Sequence, residues 1–168
     1  RRILTSLYLV PEEMEKVDLR IMKRWQEIEK NEVRYKEYFM DDAKFAVVGF
    51  GSAGRVALSA VRTARSQGIP VGLIRPISLS PFPKDFLREI SKRLDSMLVV
   101  EMNSGMMLED VMSAVKDKTH VEFYGRMGGL IPFPGEILDE IKRLAKGVKP
   151  LEAHPRNVWL ERMDSIVQ

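Results

Sequence analysis

The chain has 168 residues, of which 45% are hydrophobic and 30% are charged, as in an ordinary soluble globular domain. No apolar run approaches the roughly 20 residues that a membrane helix needs, and the first residues lack the apolar stretch of a signal peptide. We therefore expect a cytoplasmic protein that does not enter the membrane. Because the first residue is Arg1 rather than methionine, we interpret the chain as a piece of a longer protein.

The net charge of +3 arises from 27 basic and 24 acidic residues, and the two signs are interspersed along the chain. This pattern is typical of a solvated surface rather than of a nucleic-acid-binding face. No nucleic-acid partner is predicted. One functional hypothesis is an interaction domain for an acidic partner; it rests only on the isoelectric point of about 9.2.

Cysteine is absent, which excludes disulfides, thiolate zinc sites, a cysteine nucleophile and cysteine-ligated iron–sulfur clusters on this chain. The two histidines, His120 and His154, lie far apart in the sequence without a neighbouring histidine. We therefore predict no metal site.

The first predicted element is a long amphipathic helix over residues 11–38. Apolar residues recur at steps of three and four, as on one face of a helix: Met14, Val17, Ile21, Trp25, Ile28 and Tyr35. Pro11 suits the first helical position. Such a stripe must be covered, so we expect an interface with a missing domain, a partner subunit or a second copy of the chain.

After this helix, short apolar segments alternate with helical patterns. The segments predicted as buried strands are residues 45–49, 69–74, 97–101 and 121–124. The predicted helices are residues 53–66, 85–94, 106–115 and 136–146. This order predicts an α/β three-layer sandwich with a mostly parallel sheet. We divide the chain into a linker and long helix (1–41), the α/β domain (42–147) and a surface tail (148–168).

Residues 49–54 match the pattern G-x-G-x-x-G directly after a predicted strand and at the start of a helix, the context of a dinucleotide site. Arg75 ends the next strand, where an NAD enzyme would carry an acid; arginine would suit the extra phosphate of NADP. The competing interpretation is a tight turn that simply favours glycine. An NADP-binding Rossmann-like module therefore stays open as the alternative function.

Longer motifs are more specific. They read GFGSAGR at residues 49–55, VGLIRPISLSPFP at residues 71–83, EMNSGMMLEDV at residues 101–111 and YGRMGGLIP at residues 124–132. In this order they resemble the C-terminal, transketolase-like domain of 2-oxoacid:ferredoxin oxidoreductase α subunits. The resemblance is closest to the branched-chain type, which acts on 2-oxoisovalerate, with the 2-oxoglutarate type next.

The resemblance implies a function for the whole complex. The family converts a 2-oxoacid and CoA to acyl-CoA and CO2 while it reduces ferredoxin, and thiamine diphosphate supplies the carbanion chemistry. Thiamine diphosphate, magnesium and iron–sulfur clusters are expected in the complex but not on this chain. The implied partners are the thiamine-diphosphate-binding β subunit, other subunits, ferredoxin and CoA; a homo-oligomer is left open. The isolated chain is predicted to be inactive.

Polar residues follow the predicted strands and should meet at one edge of the sheet: Ser52, Arg55, Arg75, Ser78, Glu101, Asn103, Ser104 and Arg126. One interpretation is a surface that faces the thiamine domains or the path of CoA. The favoured one is salt bridges between loops, such as Arg75 or Arg126 with Glu101. A carboxylate at a strand end also commonly accepts backbone N–H bonds from the next loop. No catalytic residue is predicted.

Overall fold

The computed structural model describes residues 6–116, 119–147 and 153–167. Its strands are β1 (Tyr35–Tyr38), β2 (Phe45–Gly49), β3 (Val71–Pro76), β4 (Ser96–Glu101) and β5 (His120–Gly125). Its α-helices are α1 (Pro11–Asn31), α2 (Gly51–Ser66), α3 (Lys84–Ile90), α4 (Met106–Val115), α5 (Pro134–Ala145) and α6 (Pro155–Val167).

The strands form one sheet in the order β1-β3-β2-β4-β5. Strands β2 to β5 are parallel, with Val47 opposite both Leu73 and Leu98, and these three side chains are fully buried. Helix α2 packs against α5, and α3 packs against α4. Right-handed crossovers place these two pairs on opposite faces of the sheet. The predicted mostly parallel α/β sandwich is therefore confirmed.

Strand β1 corrects the predicted extent of the N-terminal helix. The helix ends at Asn31, and residues 35–38 pair antiparallel with β3 at the edge of the sheet. In the sequence Tyr-Lys-Glu-Tyr two half-buried tyrosines flank two exposed charges, and charged side chains are typical of an edge strand. The Tyr35 ring stacks on Phe86 with 4.0 Å between centroids. The sheet thus includes residues before the predicted boundary at residue 42.

Helix α6 corrects the prediction of a surface tail after residue 147. It packs on β5, and its Trp159 is only 3% exposed. The indole meets Phe123 edge to face, with 5.1 Å between centroids. Residues 148–152 lie outside the described residues. How the chain divides into domains stays a proposal.

Helix α1 has no buried residue. Leu19, Ile21 and Met22 are each more than half exposed, whereas Trp25 and Ile28 are partly covered. Met14 and Val17 are partly covered as well, so Ile21 is the one exposed member of the predicted stripe. The interface role of this helix stays a prediction.

A tight turn joins β2 to α2. Gly51 has a φ of +55°, a conformation that favours glycine, although a Cβ at this position would meet no other atom within 4 Å. The backbone conformation, rather than packing, therefore requires glycine here. Gly54 has the opposite need, because a Cβ there would lie 2.3 Å from the carbonyl oxygen of Gly49. The turn therefore needs Gly51 for its backbone conformation and Gly54 for packing. Close approach of α2 to the end of β2 depends on this contact.

A network of buried charges joins β5, α5 and α6. Glu122 is 4% exposed and accepts a hydrogen bond of 3.1 Å from Arg143 Nη1. The same guanidinium pairs with Glu140, which also pairs with Arg162 of α6. Burial alone would raise the pKa of Glu122, but the Arg143 hydrogen bond and charge, with help from His120, hold that pKa below its usual value.

Replacing Gly54 with alanine should cost about 1–3 kcal/mol of stability, because the clashing atoms are backbone and α2 must shift. Urea unfolding measures the loss. Gly135→Ala is the matched control: Gly135 also lies in the first turn of a helix, and its Cβ would meet nothing within 4 Å. We expect it to change stability by less than about 0.5 kcal/mol. Equal losses in both variants would contradict this account of the turn.

Replacing Arg143 with alanine removes the arginine partner of buried Glu122 and one of the two arginine partners of Glu140, and it should cost about 1–3 kcal/mol at pH 7. Because the folded-state pKa of Glu122 is depressed, its favourable contribution exists above the unfolded pKa and is lost as the pH falls through the folded value. The gap between wild type and variant should therefore shrink on acidification. Denaturant unfolding at neutral and acidic pH measures it. Arg62→Ala is the control, since Arg62 is exposed without an ion pair in the described part; a gap independent of pH would refute the assignment.

Candidate functional site

The carboxyl ends of the parallel strands meet at one edge of the sheet. The chain passes from β2 to β3 on one side and then crosses to β4 on the other side of β2. The topological switch point of the sheet therefore lies between β2 and β4, where open α/β sheets bind their ligands. The first turns of α2 and α4 flank this point.

A cavity of about 560 Å³ occupies the switch point. Its walls are mainly apolar and come from Phe50, Leu79, Val100, Met102, Met106 and Met107. Among the predicted polar residues, Ser52, Glu101 and Asn103 line it. Arg55, Arg75, Ser78, Ser104 and Arg126 are not among its lining residues. The structure thus brings part of the predicted edge to a cavity that is less polar than expected.

Glu101 is buried at the end of β4 and binds the start of α4. Its two carboxylate oxygens accept hydrogen bonds from the backbone N–H groups of Met107 and Leu108, each 2.9 Å long. A negative charge at a helix N-terminus is favourable. The expected backbone role of this carboxylate is confirmed, and the expected salt bridges with Arg75 or Arg126 are wrong, because the helix amides already satisfy it.

Asn103 holds the loop between β4 and α4. Its Oδ1 accepts hydrogen bonds from the N–H groups of Gly105 and Met106, at 2.8 and 2.9 Å. The backbone of the same loop accepts bonds from Arg156 of α6, which donates to the carbonyls of Ser104 and Gly105 at 2.6 and 3.0 Å. The loop that forms one wall of the cavity is therefore held by side chains from two sides.

Arg126 pairs with Glu136 of α5, away from Glu101. Glu136 also accepts a hydrogen bond of 2.7 Å from the backbone N–H of Phe133. The guanidinium lies 5.9 Å from the ring centroid of Tyr124, whose pKa burial raises to about 12. These contacts hold the loop between β5 and α5, so Arg126 has a structural partner of its own.

Two other predicted residues lie on the β3 side of the edge. Arg75 Nε is buried, makes no hydrogen bond within the described residues, and would lie 3.1 Å from a Cβ at Gly54. It therefore sits beneath the first turn of α2, and the NADP-binding interpretation of this arginine stays only an alternative. The hydroxyl of Ser78 accepts a hydrogen bond of 2.9 Å from the backbone N–H of Arg34, which fastens the entry to β1.

Sequence reasoning missed the apolar wall and Asp110. Of the two adjacent methionines, Met107 is buried, whereas Met106 is 75% exposed. Asp110 also lines the cavity. Its side-chain carboxylate makes no ion pair or hydrogen bond with any residue that the structure describes. Its position one helical turn after Met106 was the available signal.

The described residues contain no group of three or more His, Asp or Glu side chains placed to hold a metal ion. Likewise, no helix among them is long and apolar enough to cross a membrane. Glu101, one of two carboxylates that line the cavity, is already engaged with backbone amides. The arrangement favours holding a largely apolar group over acid–base chemistry.

Known proteins with similar sequences are subunits of 2-oxoacid oxidoreductases. The chain is 42% identical over 145 residues to the ketoisovalerate oxidoreductase subunit VorB of Methanothermobacter thermautotrophicus, a match that covers 86% of this chain and 41% of that relative. It is 38% identical over 101 residues to the 2-oxoglutarate synthase subunit KorA of Methanothermobacter marburgensis, covering 60% of this chain and 27% of that subunit. The chain thus spans well under half of these relatives.

A solved structure of the 2-oxoglutarate:ferredoxin oxidoreductase from Magnetococcus marinus shares the fold, with a TM-score of 0.71 and 18% identity. That match covers 82% of this chain and 24% of the other. Residues 43–137 match the model of the pyruvate:ferredoxin oxidoreductase core domain II. Because this match covers more than half of the chain and agrees with the resemblance in the motifs, the chain belongs to the pyruvate:ferredoxin oxidoreductase core domain II family.

Proposed function

We propose that this chain is the C-terminal structural and interface domain of the α subunit of a thiamine-diphosphate-dependent 2-oxoacid:ferredoxin oxidoreductase. The observation that carries the proposal is the 42% identity to a ketoisovalerate oxidoreductase subunit over most of the chain. The matches to 2-oxoglutarate synthase subunits cover less of it. We therefore propose 2-oxoisovalerate as the 2-oxoacid of the whole enzyme.

The whole enzyme would convert the 2-oxoacid, CoA and oxidised ferredoxin to acyl-CoA, CO2 and reduced ferredoxin. Thiamine diphosphate, with magnesium, would supply the carbanion chemistry. The donor set of this chain does not fit that group, because the described residues offer no cluster of metal-binding side chains and the cavity walls are apolar. The sequence also holds no cysteine for an iron–sulfur cluster. We place these cofactors on other parts of the complex.

The role left to this chain is assembly. Its partners would be the thiamine-diphosphate-binding β subunit and the other subunits, with ferredoxin and CoA serving the complete enzyme in the cytoplasm. Two features support an interface role: an α-helix without a buried residue, and exposed apolar side chains around the switch point.

The test is a chimeric subunit in which this chain replaces the matched region of the Methanothermobacter thermautotrophicus VorB subunit, assembled with the other subunits of that enzyme. We expect the chimera to assemble with the other subunits and to reduce viologen anaerobically in a reaction that requires CoA and 2-oxoisovalerate. The isolated chain should reduce no dye even with thiamine diphosphate, magnesium and CoA. Replacement by the matched region of KorA is the control for the graft.

Two results would reject the proposal. One is dye reduction by the pure isolated chain, which would place chemistry on residues that we assign to structure. The other is a chimera with this chain that stays unassembled and inactive while the KorA control assembles, which would show that the family match does not extend to this enzyme type.

A further inference from the structure

Large hydrophobic side chains are exposed on every loop at the carboxyl edge of the parallel strands. They are Phe50 after β2, Ile77 and Leu79 after β3, Met102 and Met106 around the start of α4, and Met127, Leu130, Ile131 and Phe133 after β5. We call this set the apolar collar. Phe50, Leu79, Met102 and Met106 line the switch-point cavity, and the other members lie on neighbouring loops of the same edge. Groups of exposed apolar side chains commonly mark interaction sites.

The opposite edge of the sheet has a different character. Its loops carry exposed charges such as Asp41, Lys44 and Asp95. Phe39, an exposed aromatic ring at that edge, is covered in part by the guanidinium of Arg65, 5.8 Å from the ring centroid. Ordinary solvated surface is therefore found at one end of the described domain and apolar surface at the other.

Helix α1 leaves the sheet at the collar end. Tyr35, the first residue of β1, lies opposite Pro76 at the carboxyl end of β3. The N–H groups of Ile77 and Ser78 donate to the carbonyl of Arg34 at 2.8 and 3.1 Å, fixing this exit. The exposed apolar residues of α1 therefore start from the same edge as the collar.

A second cavity, of about 570 Å³, connects the two surfaces. Trp25 of α1 lines one side of it, and the loop after β3 lines the other. It shares Leu79 and Asp110 with the switch-point cavity. Trp25 therefore links α1 to the two cavities, and the cavities link it to the collar. Together they lie along one surface at one end of the domain.

The comparisons indicate what covers this surface. The match occupies 41% of a ketoisovalerate oxidoreductase subunit, 27% of a 2-oxoglutarate synthase subunit and 24% of a solved oxidoreductase chain. In each of them the larger part of the polypeptide lies outside the matched domain. A covalent neighbour of that size is present at high effective concentration, and it would cover apolar surface that a free domain leaves in water.

We propose that the collar and the exposed apolar residues of α1 (Leu19, Ile21 and Met22) dock the remaining part of the same subunit polypeptide, with one anchor side chain in the switch-point cavity. Asp110 indicates the chemistry of that anchor. Its carboxylate lacks a partner in the described part of the chain and lies among Leu79 and Met106 at the junction of the two cavities. An anchor such as arginine or tyrosine has an apolar body, which would contact Leu79 and Met106, and a terminal hydrogen-bond donor, which would bind the Asp110 carboxylate. The inference rests on the proposed function in taking the chain as part of a longer subunit.

Hydrogen exchange tests the proposal on two samples: the isolated 168-residue chain, and the chimeric VorB subunit that carries it. We expect amides of α1 and of the collar loops to exchange at least about tenfold more slowly in the chimera, equivalent to about 1.4 kcal/mol. Amides at the opposite edge should not change. Met106→Glu and Leu130→Glu should abolish this protection, whereas Leu160→Glu, an exposed leucine on α6, should leave it intact.

Asp110→Asn keeps the shape of the side chain and removes its charge, so it tests the anchor with little risk to the fold. We expect partial loss of protection around α4, and none in the control Asp139→Asn on the exposed side of α5. Unchanged protection in Asp110→Asn would remove the anchor from the proposal.

Other outcomes would overturn the docking surface itself. Protection confined to other surfaces of the chimera, or absent from it, would do so. So would the same protection in the isolated chain together with a dimer in light scattering, because a second copy would then be the occupant. A chimera that is protected at the collar but inactive would reject the enzymatic assignment and leave the docking surface standing.

Discussion

A buried carboxylate organises the carboxyl edge of the parallel sheet. Glu101 ends the inner strand β4, and each of its oxygens binds one amide of the first turn of α4. These bonds satisfy donors that a helix start otherwise leaves open and fix where α4 begins relative to the sheet. The positions of Met102, Asn103 and Met106, and with them the wall of the switch-point cavity, follow from that placement.

The same edge shows how polar residues are used internally. Arg126 is held by Glu136, Ser78 by the entry to β1, and Asn103 by the loop that it closes. The favoured prediction for these residues was salt bridges between loops, and each of the three has an intramolecular partner, although not the predicted one. What remains facing outward is largely the apolar set of loop residues. A loop rich in polar sequence can therefore present an apolar surface, because its hydrogen-bonding groups are satisfied by its own backbone and neighbours.

The four parallel strands of the sheet could be predicted from the sequence, because four apolar segments alternate with helical patterns and that order permits few topologies. The sequence was insufficient at both ends of the chain. Tyr35 continues the helical spacing of α1 although it lies in an edge strand, a conflict that only pairing with β3 resolves. Helix α6 depends on Trp159 contacting Phe123, a long-range contact without a local periodic signal. The apolar cavity was likewise hidden, because exposure of Met106 rather than Met107 depends on where Glu101 starts the helix.

Helix α6 adds a property that the sheet alone would lack. Arg156 holds the carbonyls of Ser104 and Gly105, while Asn103 holds the amides that follow. The loop between β4 and α4 is thereby restrained from both its acceptor and its donor groups, and its shape exists before anything reaches the cavity. Binding there would order few additional torsions, so little conformational entropy would be lost on association. A rigid receptor of this kind selects its occupant by fit and releases it without refolding.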